Sequence, residues 1–166
     1  MKALKRRLST LTGRTPSIEA LNEPFETCTG LQCSWDWLPA EQLQMIRASG
    51  AIPMLNWSSM SSPLHILEPG YGLAQIAGGA FDSYLTAFAR SVAGWAHPLF
   101  IRFNWEMNGD WFPWADTTNG NTPAEYVAAW RHVHAIFAAA GARNVSWVWC
   151  PNVTTVGASG QYASAY

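Results

Sequence analysis

Apolar segments typical of β-strands alternate with helical patterns along the whole chain. The strand candidates begin near positions 17, 51, 98 and 145, and a segment with apolar residues at helical spacing precedes each of them. Strands that alternate with helices predict a parallel sheet with helical cover, because each parallel connection needs a crossover. The order fits two α/β architectures, a doubly wound sheet and part of a (β/α)8 barrel.

The fourth helix has the strongest start signal. Thr122 can cap it, Pro123 suits the first helical position, and Glu125 completes a capping box. Gly141 ends the pattern. The other predicted helices cover residues 2–12, 39–50 and 82–95, the predicted strands cover 17–22, 51–55, 99–103 and 145–149, and loops are expected at 23–38 and 58–80.

Composition and charge exclude several classes of protein. The 166 residues are 49% apolar and 13% charged, which is typical of one globular domain rather than of a disordered chain. Lys plus Arg is 10 and Asp plus Glu is 11, so the basic excess of a nucleic-acid-binding protein is missing. No apolar run approaches the ~20 residues that span a bilayer. The basic N-terminal segment lacks the apolar run of a complete signal peptide.

The cysteines and histidines do not predict a metal site. Cys28 and Cys33 frame a short loop, where either a disulfide or two free thiols is consistent with the spacing, and the pairing of Cys150 stays open. His132 and His134 are two residues apart on a helix, so they face different directions. No metal ion or cofactor is expected.

The predicted strands end in polar residues beside indoles. Ligands of parallel α/β proteins bind at the carboxyl ends of strands. Amide and carboxylate groups flanked by tryptophan suit a polyhydroxylated sugar ring; the alternative is that the asparagines cap turns and the tryptophans pack between helices and sheet. The four ends read Asn22-Glu23, Asn56-Trp57, Asn104-Trp105-Glu106 and Trp149-Cys150-Pro151-Asn152.

Glu106 is the strongest catalytic candidate. It lies in RFNWEMNGDWFPW, residues 102–114, just past an apolar strand and beside three tryptophans. Apolar surroundings disfavour the charged form of a carboxyl group, as general-acid catalysis of glycoside cleavage requires. Arg102, Asn104 and Glu106 share strand parity, so all three are predicted to point inward. The alternative role for Glu106 is an ion pair with Arg102.

The sequence resembles glycoside hydrolase family 26 over roughly residues 10–160. The resemblance is carried by residues 102–114, by NTPAEYVAAWRHVHAIFAAAGARNVSWVWCPN at 121–152, and by AIPMLNWSS at 51–59, which is similar to the third-strand region of that family. It implies a (β/α)8 barrel and a retaining mechanism with two glutamates. The implied substrate is a β-linked polysaccharide, usually β-1,4-mannan, and for some members mixed-linkage glucan or β-1,3-xylan.

The resemblance also implies roles for individual residues. Glu106 matches the general acid/base at the end of the fourth strand, and Arg102 supports it. The family usually has His immediately before the acid/base, where this chain has Trp105. The substrate-binding residues implied by the motif and the strand ends are Asn104, Trp105, Asn108, Trp111, Trp114, Trp57, Trp149 and Asn152.

The length predicts an incomplete barrel. A (β/α)8 barrel typically needs ~250 residues, and the family's nucleophile is a glutamate on the seventh strand. This chain has no Asp or Glu after Glu125. Residues 1–166 are therefore expected to be an incomplete catalytic domain with strands 2 to 5, inactive alone, with the remainder of the barrel in a longer chain. Secretion is implied by the resemblance only.

Two other functions remain as alternatives. A non-catalytic carbohydrate-binding protein would keep the aromatic sugar platforms without hydrolysis. A doubly wound α/β domain with another ligand would carry helices on both faces of its sheet.

Overall fold

The computed structural model describes residues 9–154, which form a five-stranded sheet covered by helices. Four strands are parallel, and a short fifth strand pairs antiparallel with the first at one edge, giving the order β2-β1-β3-β4-β5. The strands are β1 (Ile18–Thr29), β2 (Gln32–Trp35), β3 (Ile52–Ser62), β4 (Leu99–Phe103) and β5 (Val145–Trp147). The helices are α1 (Ala40–Ala48), α2 (Leu73–Ala77), α3 (Asp82–Trp95) and α4 (Pro123–Ala139), with a 3₁₀ turn at Pro69–Tyr71.

The helices of the described residues pack against one face of the sheet. Alternate residues of the strands, such as Leu55 on β3 and Ile101 on β4, share one buried cluster with Phe88 of α3 and Phe137 of α4. A doubly wound sheet would need a second helical layer on the opposite face. The order of elements and the one-sided cover are those of part of a (β/α)8 barrel, as predicted.

A β-hairpin replaces the loop predicted over residues 23–38, which was wrong. Strand β1 continues to Thr29, and residues 26–29 pair with residues 32–35 of β2. Gly30, with φ +64°, makes the two-residue turn. The sequence concealed the strand because Pro24, which lacks a ladder donor, interrupts it; the structure has a register shift between Pro24 and Glu26.

The hairpin also decides between the two predicted states of the close cysteines. Cys28 and Cys33 are directly opposite each other in the ladder and are joined by a disulfide. Within residues 9–154, Cys150 is the free thiol, and it is half-buried. The disulfide therefore cross-links β1 to β2, the strand at the edge of the sheet.

The other predicted elements are confirmed, with shifted ends. Strand β3 begins as predicted but continues to Ser62, and the short helix α2 interrupts the predicted loop 58–80. Strand β5 ends at Trp147 rather than at 149. In the first predicted helix, residues 9–12 are helical, and residues 2–8 lie outside the described part.

The predicted capping box begins α4. The Glu125 backbone N–H donates to Thr122 Oγ1 at 3.3 Å, and the Thr122 N–H donates to Glu125 Oε2 at 2.8 Å. These bonds satisfy amides that a helix start otherwise leaves unpaired. Across residues 9–154, no helix combines the length and apolar character needed to cross a membrane.

The opposite face of the sheet carries polar groups near the strand ends. Asn22, Asn56 and Arg102 are adjacent in register on β1, β3 and β4. Asn56 Nδ2 donates to Asn22 Oδ1 at 2.8 Å. This face corresponds to the interior of a barrel, so the polar row lies below the ends of the strands.

Candidate active site

The backbone after β4 turns through two left-handed residues. Asn104 has φ +44° and Glu106 has φ +55°, a conformation that residues other than glycine rarely adopt. The side chain of Asn104 secures the turn, because Nδ2 donates to Ser59 Oγ at 2.8 Å and Oδ1 accepts the Ser59 N–H at 2.9 Å. The hydroxyl of Tyr126 also donates to the carbonyl of Asn104. Asn104 is fully buried, and both ends of its side-chain amide are engaged by Ser59.

The carboxylate of Glu106 lies at the carboxyl end of β4, held by an indole. Trp111 Nε1 donates to Glu106 Oε2 at 3.0 Å, and the Glu106 backbone N–H donates to the carbonyl of Cys150 at 2.7 Å. Glu106 is half-buried. The carboxyl group is thus fixed in direction while part of it remains accessible to a ligand.

A reciprocal pair of bonds joins the Glu106 loop to the segment after β5. Asn108 Nδ2 donates to the carbonyl of Asn152 at 3.0 Å, and the Asn152 N–H donates to Asn108 Oδ1 at 2.7 Å. Asn108 is 1% exposed. The two residues predicted to bind substrate come together here, but the amide of Asn108 is engaged within the protein.

Two of the tryptophans predicted as substrate contacts are fully buried, and a third packs against α4. Trp57 and Trp114 are 0% exposed, so neither offers a ring face to a sugar, and both assignments are corrected. Trp114 stacks on Phe112 at 4.5 Å and donates to the carbonyl of Trp105 at 2.7 Å. Trp149 is 43% exposed, and its ring meets Trp130 of α4 at 5.0 Å.

The guanidinium of Arg102 lies over an indole. Its Cζ is 4.8 Å from the ring centroid of Trp105, within the range of a cation–π contact. Its Nη1 approaches Cys150 Sγ at 3.8 Å. Within residues 9–154 Arg102 makes no ion pair with Glu106, so the structural alternative for that carboxylate is wrong. The guanidinium of Arg102 therefore contacts Trp105, whereas the carboxylate of Glu106 accepts a hydrogen bond from Trp111.

Glu23, the acidic residue at the predicted end of β1, lies in a different cluster from Glu106. It is the register partner of Trp57, so it shares the helix-facing side of the sheet. Burial, followed by the negative charge of Asp36, raises its pKa to about 7. Burial likewise raises the pKa of the neighbouring Tyr84. Strand parity could have identified this cluster from the sequence, because Glu23 and Phe25 are two residues apart on β1 and therefore share a face of the sheet.

Replacement of Glu23 by glutamine tests this environment. The folded-state pKa lies above the unfolded value of 4.5, so the protonated form is stabilised by folding and stability falls as pH rises from about 4.5 to about 7. Glu23→Gln is expected to leave stability unchanged at pH 4 and to raise it at pH 8, by about 1 kcal/mol once solvent screening is allowed for. Urea unfolding at both pH values measures the difference, and equal effects at pH 4 and 8 would contradict the shift.

Comparisons with known proteins identify the family of the chain. The family model of "Glycosyl hydrolase family 26" matches residues 81–164, which include β4, Glu106, α4 and β5. Endoglucanase H of Acetivibrio thermocellus is 34% identical over 120 residues, which are 71% of this chain and 12% of that protein.

Solved structures share the fold at low sequence identity. Bacillus subtilis mannanase man26 superposes with a TM-score of 0.67 at 18% identity, covering 91% of this chain and 52% of that one. GH26A from Muricauda sp. superposes with a TM-score of 0.63 at 15% identity, covering 92% and 54%. The chain thus spans about half the length of these structures and a smaller share of endoglucanase H. Because the family model matches residues 81–164, which are half of the chain, the chain belongs to glycosyl hydrolase family 26.

Proposed function

We propose that these residues form part of a retaining glycosidase that cleaves a β-linked polysaccharide, with Glu106 as general acid/base. The observation that carries the proposal is the Glu106 carboxylate, half-buried at the carboxyl end of a parallel strand and held by Trp111 at 3.0 Å. Membership of the glycosidase family supports the reaction class. The identity of the substrate is a separate step of the proposal.

The proposed mechanism gives Glu106 two tasks. In the first step its carboxyl group protonates the glycosidic oxygen as the sugar is transferred to a second carboxylate. In the second step the Glu106 carboxylate takes a proton from the water that attacks the glycosyl–enzyme ester. The indole N–H of Trp111 holds Oε2, which leaves Oε1 to face the glycosidic oxygen and then the water.

The second carboxylate is the part of the mechanism that these residues do not supply. A retaining enzyme places the two carboxyl groups ~5–5.5 Å apart. Three carboxylates could be considered as neighbours of Glu106, and none matches the family's nucleophile: Glu23 lies in the helix-facing cluster, Asp110 is exposed, and Asp116 is buried. No acidic residue follows Glu125. We therefore propose that residues 1–166 are an incomplete catalytic domain, that the nucleophile and the rest of the barrel belong to a longer chain, and that the 166-residue chain alone is inactive.

Two polysaccharides are the leading candidates for the substrate. β-1,4-Mannan is favoured by the structural likeness to proteins described as mannanases. A mixed-linkage β-glucan is favoured by the higher identity to a protein named endoglucanase H, and by Trp105, which replaces the histidine usual before the acid/base. β-1,3-Xylan is the third substrate to test. Because such polymers do not enter cells, we also propose that the enzyme acts outside the cell.

The deciding experiment uses the native polypeptide from its source. Its intact mass is measured first, and a mass well above 18.3 kDa is expected. Reducing ends released from mannan, mixed-linkage β-glucan and β-1,3-xylan then identify the substrate, and NMR of the first product shows whether the β-configuration is retained. Polysaccharide binding without hydrolysis by the native polypeptide would favour the non-catalytic carbohydrate-binding protein. Turnover by the 18.3-kDa chain would contradict its proposed inactivity.

Replacement of Gly109 by alanine tests how Trp111 positions Glu106. A Cβ at Gly109 would lie 2.6 Å from Trp111 Cζ2, so either the indole or the backbone at Gly109 must shift. We expect that shift to disturb the bond from Trp111 Nε1 to Glu106 Oε2. A shift of about 1 Å in the position of a catalytic group can cost about 100-fold in rate, and we expect kcat to fall by about that factor. Gly94→Ala is the control, because its Cβ meets nothing within 4 Å. An unchanged kcat in Gly109→Ala would show that the bond from Trp111 is dispensable.

A further inference from the structure

A second group of aromatic side chains lies outside the Glu106 loop, where the β1–β2 hairpin meets the start of α3. We call it the hairpin shelf and define it by Trp35, Trp37, Phe81 and Tyr84. Together with Ala80 and Ser83 these residues line a cavity of about 240 Å³. No residue of the shelf contacts Glu106 or Trp111 through a described bond or ring contact, so the proposed mechanism leaves the shelf without a role.

The shelf is built on rigid elements. The ring of Trp35 stacks on Tyr84, with centroids 4.7 Å apart and planes at 22°. The hydroxyl of Tyr84 donates to the carbonyl of Asp36 at 2.9 Å and accepts the Trp57 indole N–H at 3.4 Å. The disulfide between Cys28 and Cys33 staples the strands two residues before Trp35. A binding surface on such supports keeps its shape.

Large apolar side chains remain accessible on this rigid support. Trp35 is 38% exposed and Trp37 is 52% exposed, although other tryptophans of the chain are fully buried. Strand β2 already pairs with residues 26–29 of β1, so this part of the β1 edge is not open to a further strand. Exposed aromatic groups on this paired and cross-linked hairpin are accessible to a ligand.

The chemistry of the shelf fits a sugar ring better than a cation. The rings of Trp35 and Tyr84 stack with their planes at 22°, which closes the space between them, so they do not form a box around an ammonium group. The accessible part of the Trp35 ring, which is 38% exposed, is what remains for a ligand. Polar groups stand at its border: the half-buried carboxylate of Asp36, oriented by Thr27 Oγ1 at 2.6 Å from Oδ2, and the exposed hydroxyl of Ser83. Indole faces meet the C–H face of a pyranose, and the border groups meet its hydroxyls.

The position of the shelf suits a polymer. Glu26 and Thr27 of β1 pair with β3 on one side and with β2 on the other, so the hairpin lies at the same carboxyl edge of the sheet from which Glu106 follows β4. Neighbouring strands lie about 4.8 Å apart, so β1 and β4 are separated by about 10 Å in the sheet. A polysaccharide that extends from the Glu106 site past β1 can reach the shelf, whereas a sugar confined to the Glu106 site does not.

We propose that the hairpin shelf is a second carbohydrate-binding site, which holds a pyranose unit of the polysaccharide outside the Glu106 site. The inference rests on the proposed function for the identity of the polymer. Binding at two places on one chain raises the affinity for polymer over that for short fragments, because the second contact is intramolecular.

The test separates binding from cleavage. The native polypeptide with Glu106→Gln is titrated with the soluble polysaccharide that the wild type cleaves, and the same titration is repeated after adding Trp37→Ala. We expect Trp37→Ala to weaken polymer binding about tenfold, as loss of an exposed tryptophan contact does. Trp37→Phe, which keeps an aromatic face, should recover part of the loss. Trp95→Ala, at the opposite end of α3, is the matched control and should bind as the parent does.

The outcomes distinguish failure of the shelf from failure of the proposed function. Equal affinity for polymer with and without Trp37 would overturn the proposal that the shelf binds carbohydrate, and would leave the proposed role of Glu106 unaffected. Binding of choline at the shelf, with no effect of Trp37→Ala on polymer binding, overturns it in favour of a cation site. A parent that binds none of the candidate polysaccharides overturns the shelf together with the proposed substrate class. In the catalytically intact protein, a Trp37→Ala variant should lower kcat/KM for polymer relative to that for a short oligosaccharide.

Discussion

Replacement of Glu106 by glutamine is expected to lower the turnover of polysaccharide by about 10²–10⁴-fold in the native polypeptide. The amide oxygen of glutamine can still accept the indole N–H of Trp111, so the loop should keep its structure. The amide cannot transfer a proton to the glycosidic oxygen. Thermal unfolding should therefore change little while kcat collapses, which separates a chemical role from a structural one.

A substrate whose leaving group needs little protonation tests the role of Glu106 as an acid more directly. A 2,4-dinitrophenyl glycoside needs little protonation, so Glu106→Gln should still form the glycosyl–enzyme and release an initial burst of dinitrophenol. Asp110→Asn is the matched control, because it removes an exposed carboxylate from the same loop. Full activity of Glu106→Gln on polysaccharide would disprove the assignment of Glu106 as general acid.

Replacement of Trp57 by alanine is expected to reduce the free energy of unfolding by about 3–5 kcal/mol. Trp57 is 0% exposed; its ring stacks on Phe88 at 4.5 Å and lies 5.0 Å from Phe25 and 5.5 Å from Phe137. Alanine would leave a large cavity where α3 and α4 meet the sheet. Urea unfolding of the variant and the wild type measures the loss.

Two further variants control the Trp57 experiment. Trp57→Phe keeps most of the apolar contact and should lose less stability than Trp57→Ala. Trp149→Ala removes a partly exposed indole and should also be milder, since Trp149 is 43% exposed. A Trp57→Ala variant of unchanged stability that had lost polysaccharide binding would contradict the core role and restore the sugar contact expected from sequence.

The helices and parallel strands could be predicted because local patterns specify them. The capping residues Thr122 and Glu125 and the apolar stripe of α3 act within a few residues of chain, and each element appeared where expected. The hairpin could not be predicted in this way. Strand β2 is four residues long and exposed throughout, so no alternation of buried and exposed residues marks it in the sequence, and its pairing places Cys33 opposite Cys28.

The candidate site was likewise predictable only in part from the sequence. Sequence identified Glu106 from its strand-end position and aromatic neighbours, and identified the family from the surrounding motif. It did not distinguish tryptophans that face a ligand from those that face the core. Trp57, Trp111 and Trp114 are chemically identical residues, and their exposure depends on strand parity and on turns such as the left-handed pair Asn104 and Glu106.

The amino-acid sequence by itself determined the α/β order, the family, and the position of the carboxylate proposed to be catalytic, because periodicity and motifs are properties of neighbouring residues. Only the tertiary structure decided that Trp111 rather than Arg102 holds Glu106, that Glu23 belongs to a helix-facing cluster, and that Trp35 and Trp37 remain exposed on a stapled hairpin. These outcomes depend on contacts between residues far apart in the chain. Such contacts follow from register and packing, which no local pattern encodes.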